Sequence, residues 1–232
     1  MAMRSLSSRL RATPLLATTS EAVVDRMATA ATTARFAEGS RLWWAGAAAD
    51  QVTLIEQGLV RVVRQKPDGG DECLALFGPT EAVALPSVLE HGTYPADAIA
   101  MSPQVEVLRI PAEVFKQAIS EDMALMNSLN RALLIHTKKL RTKIFVVSAG
   151  SIAARLATFL LYLADSFGTP DGKGRARIPL VLSRAALAGF VSARVETVIR
   201  VLSIWRTAGW ARTTTDGFDL DIEALHQVTE QG

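Results

Sequence analysis

The chain is short of the side chains from which most cofactor sites are built. Among its 232 residues there is one cysteine, Cys73, and there are three histidines, His91, His136 and His226. A single thiol forms no internal disulfide framework. It also cannot supply the four thiolates of an iron–sulfur cluster or a thiolate-rich metal site within one chain. Cys73 lies in an apolar strand, Cys73-Leu-Ala-Leu-Phe77, and reads as core. The histidine spacing supports no zinc site. Each histidine reads as structural or solvated, with metal or haem ligation the alternative for His91 and His136. Long apolar runs are lacking too: the longest, Ile144 to Ala154, stops at Arg155, short of the roughly 18 residues of a membrane span.

Excess charge is also missing. The net charge of +2 says little about partners, because the basic excess is local rather than global, and 49% hydrophobic residues argue against a disordered chain. The first twenty residues carry Arg4, Arg9 and Arg11 and no acid. They read as a leader helix of a cytoplasmic protein, a transit peptide being the alternative.

What is present is best read from Leu182-Ser-Arg-Ala-Ala-Leu-Ala-Gly-Phe-Val191 onward to Arg206. At helical period this stretch is two short amphipathic helices. Leu187, Phe190 and Val191 mark the inner face of the first, and Val198, Val201, Leu202 and Trp205 that of the second. Ser183 is placed to cap the first helix, and the break falls near Val191-Ser192-Ala193. Glu196 and Arg200 are four residues apart and project together. A carboxylate that accepts from cytosine N4 and a guanidinium that reaches guanine O6 and N7 suit the major groove. The alternative is an exposed helix with one internal ion pair. The following Ala211 to Asp221 reads as two short strands around an Asp216-Gly217 turn, making a winged helix. Between Lys173 and Arg212 the basic residues face one acid, Glu196, which suits phosphate contact.

Upstream, residues 1–34 predict one or two short helices, the clearer beginning at Thr19-Ser20-Glu21. From Phe36 to Ile110, short strands between spaced glycines predict an all-β sandwich or barrel, with Gly58–Arg64 and Val105–Ile110 the plainest strands. Asp68-Gly69-Gly70-Asp71 predicts a hairpin turn. Ala112 to Ala118 predicts a short helix and Glu121 to Val147 a long one. Met126, Leu133, Leu140 and Val147 recur every seventh residue, with Leu129 and Ile144 nearby. Such a seam predicts a coiled-coil dimer; a helix packed on its own domain is the alternative. Ser148 to Ser151 reads as a hinge. Ile152 to Phe167 forms another helix that stops at Gly168, and Asp221 caps the last one.

This order of β-roll, long helix and winged helix resembles the Crp/Fnr superfamily of bacterial transcription regulators, from about Arg9 to Val228. The resemblance rests most on Arg194-Val-Glu-Thr-Val-Ile-Arg200, Ala208-Gly-Trp-Ala211 and the glycine ladder of the roll. It rests also on Leu74-Ala-Leu-Phe-Gly-Pro79 and Tyr94-Pro-Ala-Asp-Ala98. It implies an α+β chain: a double-stranded β-helix sensor with N-terminal helices over 1–118, a dimerisation helix and hinge over 119–148, and a winged helix over 149–232. It also implies a cytoplasmic, non-enzymatic homodimer that partners double-stranded DNA and RNA polymerase.

In the family, Glu196 and Arg200 would read a G·C pair. Ile199, where Fnr-like members carry serine, would touch a base through apolar contact. Ser183, Arg184, Arg194 and Thr197 would hold the backbone. Val195 suits a palindromic, TTG-containing Fnr-like half-site, and Ser192 replaces a usual glycine of the turn. Cyclic-nucleotide members carry a Gly-Glu pair and a later Arg-Ser or Arg-Thr pair, which hold the ribose and the phosphate. Here those positions read as Ala84-Leu85 and Tyr94-Pro95, with His91 beside them. Cyclic AMP bound in the family manner and an iron–sulfur cluster are therefore not expected; the effector is unknown, with haem or a gas ligand left open. Two further readings stand beside this one: a ligand-binding roll whose helical domain no longer reads DNA, and a cupin-type enzyme, which the shortage of histidines disfavours.

Overall fold

A computed structural model describes residues 5–65, 71–90 and 92–230. His91 and the Asp68-Gly69-Gly70 turn lie outside them. The described residues divide into two compact units, one holding the chain up to Arg64 with Ala75–Lys139, the other Leu140 onward with Gln65–Leu74. The division falls inside the long helix rather than at the predicted boundary of 118/119 or at the Ser148 hinge.

The first unit opens with helices α1 (Leu6–Arg11) and α2 (Glu21–Ala30). Ser20 is the N-cap of α2, but its side chain makes no cap bond; its N–H donates to Asp122 instead, at 2.8 Å. Strands β1 (Thr32–Ala37), β2 (Arg41–Trp43), β3 (Gln51–Gln57), β4 (Val60–Gln65), β5 (Asp71–Phe77, of which the residues up to Leu74 belong to the second unit) and β6 (Ala82–Val83) follow. Then come helix α3 (Leu85–Leu89), strands β7 (Asp97–Ala100) and β8 (Gln104–Pro111), and helix α4 (Ala112–Glu121). The strands make two four-stranded sheets, in orders β1-β8-β3-β6 and β2-β7-β4-β5. All the registered pairs are antiparallel. Val105, Val107, Leu108 and Ile110 of β8 and Val52, Leu54 and Ile55 of β3 are buried, together with Phe115 of α4. Each such side chain contributes about 1.5–3 kcal/mol by leaving water. Gly58 turns β3 into β4 at φ +82°, and a Cβ there would press on the Gln104 carbonyl, so the turn requires glycine.

Helix α5 (Met123–Ser148) begins where Asp122 accepts the Leu125 N–H at 2.9 Å. One carboxylate thus caps α5 and ties down the start of α2, and both bonds hold its pKa below the usual carboxylate range.

The second unit contains α6 (Ile152–Phe167), short strands β9 (Thr169–Pro170) and β10 (Arg175–Ile178), and helices α7 (Arg184–Val191) and α8 (Val195–Ala208). Strands β11 (Ala211–Thr214) and β12 (Gly217–Asp221) and helix α9 (Ile222–Glu230) complete it. Its sheet runs β11-β12-β10-β9. Strands β9 and β10 lie between the end of α6 and the start of α7, where the sequence carries no strand signal. Gly168 does end α6, but with φ −85° rather than in the left-handed region. Glycine is needed there because a Cβ would enter the Ala164 carbonyl. Phe159 of α6 stacks on Phe190 of α7 at 3.7 Å between ring centroids, and α9 also packs on α6. Asp221 accepts the Ala224 N–H at 3.0 Å and caps α9, as expected.

No helix among the described residues is long and apolar enough to cross a membrane. Cys73 is buried.

Candidate nucleic-acid interface

The two helices expected from Leu182 to Arg206 form as α7 and α8. Ser183 caps α7, its hydroxyl accepting the Ala186 N–H at 3.1 Å. Ser192 then takes the left-handed conformation, φ +54° and ψ 50°, and the Ala193 N–H closes the turn on the Ala188 carbonyl. A hydroxymethyl group stands where glycine would carry no steric cost, and the turn forms nonetheless. Arg194 is the N-cap of α8, so Glu196 lies in the first turn, where the helix dipole favours a negative charge.

The inner face of α8 is Val198, Val201, Leu202 and Trp205, all buried. The outer face carries Glu196, Ile199 and Arg200, all exposed, with Arg194 exposed just before it and Thr197 half-buried at its flank. Ile199 is 50% exposed, a poor position for a branched apolar side chain that has no partner to cover it. Glu196 and Arg200 make no ion pair with each other or with any other described residue, contrary to the simple surface-pair alternative.

Two expectations of the interface change. Arg184 does not reach outward as a free phosphate ligand. It is half-buried, donates to the Thr213 hydroxyl of β11 at 2.7 Å and lies over the Phe218 ring. It ties the wing to the start of α7, and burial lowers its pKa. The basic excess is also smaller than the segment suggests. Arg177 pairs with Asp216, Arg212 with Asp219 at 2.9 Å, and Arg175 with Asp221 at 3.8 Å. Those acids follow Arg212 in the chain, and only folding back of β12 brings them against the arginines. The cations without such partners among the described residues include Arg194, Arg200 and Arg206.

Residues 33–122 match the cyclic nucleotide-binding domain, and residues 154–228 match the Crp-like helix-turn-helix domain. The chain belongs to the Crp/Fnr family. It is 26% identical over 177 residues to a protein named a CRP-like cAMP-activated global transcriptional regulator, from Mycobacterium tuberculosis (76% of this chain, 78% of that one). It is 27% identical over 170 residues to the global nitrogen regulator of Synechococcus elongatus (72% and 76%). Among solved structures, FixK2 from Bradyrhizobium japonicum superposes with a TM-score of 0.73 at 20% identity, over 85% of this chain and 96% of the other. A CRP-family transcriptional regulator of Thermus thermophilus gives 0.70 at 25%, again over 85% and 96%. This Crp-family chain is a transcription regulator with a DNA-binding helix-turn-helix and a cyclic nucleotide-binding domain.

Of the four positions matched to a Crp-family nucleotide cassette, Leu85 and Tyr94 are buried in the core. Ala84 is left-handed at φ +58°, and Leu85, which opens α3, is fully buried. Tyr94 is buried, stacks on Trp43 with ring centroids 4.2 Å apart, and donates its hydroxyl to the Gln51 carbonyl at 3.2 Å. Pro95 is exposed. None of these four carries the charge needed to offset a cyclic phosphate or to accept from a ribose hydroxyl, so the residues present do not fit a cyclic nucleotide in the family manner. Among the described residues there is no metal-binding cluster of histidine, cysteine, aspartate and glutamate. His136 is engaged: its Nε2 lies 2.9 Å from the Ala82 carbonyl, which can only accept, so this nitrogen carries the proton.

The sequence seam on α5 is open over only part of its length. Leu129 is 4% exposed and belongs to the core of the roll, and Met126 and Leu133 pack against that core. Val147 is half-buried. Leu140 and Ile144 do face outward, and with them Leu134 and Phe145, which the seven-residue spacing missed. Leu140 belongs to the every-seventh line, and at 100° per residue Ile144 falls in line with Met126, so the line is covered by the core of the roll at Met126 and Leu133 and open at Leu140 and Ile144.

Proposed function

We propose that the protein is a homodimeric, sequence-specific DNA-binding regulator in which α8 enters the major groove of each half of a palindromic, Fnr-like site. The outward Glu196, Ile199 and Arg200 support this reading above all, because two opposite charges four residues apart remain unpaired and available to base edges. Arg194 and Thr197 flank them as phosphate contacts, with the Ser183 hydroxyl at the start of α7, while Arg184 holds the wing in place. Leu134, Leu140, Ile144 and Phe145 of α5 supply the apolar face for pairing two copies, with RNA polymerase a further partner. The chain acts in the cytoplasm and catalyses no reaction. Fluorescence anisotropy on a TTG-containing palindrome and its single-base variants tests the reading. Tight binding that weakens at one symmetric base pair is expected. Binding that is weak and indifferent to sequence at moderate salt favours a ligand-binding roll whose helical domain does not read DNA.

A further inference from the structure

The first unit contains a hollow of about 310 Å³, lined by none of the four cassette positions, between the first half of α5 and the turn joining β5 to β6. That volume lies at the lower end of the range for small-molecule pockets. Its walls are mostly apolar: Pro14 and Leu15 from the N-terminal segment, Phe77 and Ala82 from the sheet, and Ala132 and Ile135 from α5.

The polar groups around it differ in how far they are engaged. Both oxygens of Glu81 are taken, one by Lys139 at 3.0 Å and the other by the Gly78 N–H at 2.7 Å. His136 gives Nε2–H to Ala82 and is held neutral, its pKa lowered by burial first and by Lys139 as well, against the raising effects of the Ala82 bond and Glu81. Ser128 is 2% exposed; it meets the Thr18 hydroxyl at 3.3 Å and accepts one N–H of Arg131 at 2.9 Å. Arg131 is exposed at the rim, and no carboxylate among the described residues pairs with it. With Glu81 and Lys139 cancelling, the hollow is an apolar socket with one positive charge held over its mouth by a buried hydroxyl.

We infer that this hollow binds an organic monocarboxylate with a compact apolar body, the tail packed on Phe77 and Ile135 and the carboxylate paired with the Arg131 guanidinium. An arginine fork matches a carboxylate, and its free N–H groups favour that anion over a neutral head group. The inference concerns binding alone and stands or falls independently of DNA recognition.

Isothermal titration of the full-length protein with sodium octanoate, and with octanamide as its neutral counterpart, tests it. One octanoate per chain is expected, with octanamide at least tenfold weaker. Arg131→Gln, an exposed position that spares the fold, should weaken octanoate about tenfold and leave octanamide unchanged. Ala132→Phe should weaken both by filling the socket. In proton NMR, octanoate should move the resonance of one of the three histidines, His136. Equal octanoate affinity in wild type and Arg131→Gln overturns the inference. So does the absence of saturable binding at millimolar octanoate. If octanoate fails while Ala132→Phe breaks up the dimer, the hollow is covered by a second copy of this chain and the inference is overturned as well.

Discussion

The α7–α8 turn and the start of α3 are comparable places in two different units. In each, the family pattern has glycine and this chain has another residue, Ser192 and Ala84, and in each the backbone is left-handed, at φ +54° and φ +58°. The side chains that follow part company. After Ser192 come Glu196 and Arg200, exposed and unpaired; after Ala84 comes Leu85, fully buried. The left-handed backbone therefore forms without glycine in both places, whereas exposed charged side chains follow it in only one. A turn is held by hydrogen bonds and packing around it and tolerates a small strain. A binding site depends on the identity of a few side chains, and a single replacement removes it.

The largest effect should come from forcing the family carboxylate back into the roll. Leu85→Glu places an unpaired charge in a closed core and should cost on the order of 3–5 kcal/mol in urea unfolding without conferring cyclic AMP binding. Cyclic AMP binding with stability intact would break the comparison. On the other side, Glu196→Ala and Arg200→Ala should each lose roughly 1–3 kcal/mol of discrimination at one base pair with little change in stability, as read by anisotropy on site variants. Unchanged sequence preference in both would remove the base-reading assignment.

Asp122→Ala should destabilise the roll by about 1–2 kcal/mol, since one carboxylate serves the starts of two helices. Asp122 is depressed in the folded state, so its contribution is fully present above its unfolded value and is lost as pH falls through the folded one. His136 has the same slope for a different reason. Burial favours its neutral form, so below its unfolded pKa the unfolded chain takes up a proton that the folded chain resists, and stability falls with pH there. Replacing His136 with Gln should flatten unfolding curves between pH 6.5 and lower pH, and an unflattened profile would contradict its burial. Smallest of all, Ala84→Gly and Ser192→Gly should each gain less than about 1 kcal/mol by relieving the left-handed strain, offset by the greater freedom of glycine when unfolded. A loss in both would show that neither turn is strained.

The helices α7 and α8 were legible because each carries its own local pattern: Leu187, Phe190, Val198 and Trp205 recur at helical period and are buried where the period places them, whereas the five-residue α3 inside the roll was not. Strands β9 and β10 were not, because two to four residues carry no periodicity, and β10 exists through pairing with β12, more than thirty residues downstream. That pairing also explains part of the misjudged charge, at Arg177, and the β11–β12 hairpin explains the rest, at Arg212. Arg177 and Arg212 looked free until β12 brought Asp216 and Asp219 beside them.

By itself, the sequence determined the family, the order of roll, long helix and winged helix, the outward pair Glu196 and Arg200, and the loss of cassette charge at Leu85. Each of these depends on residue identity and short spacing. Tertiary structure alone decided which face of α5 is open, that Arg184 binds the wing, and that Ser128, Arg131 and His136 surround one hollow with Phe77. Such facts arise where segments distant in the chain meet. No local pattern records which side chain will be covered there and which will be left with its charge unanswered.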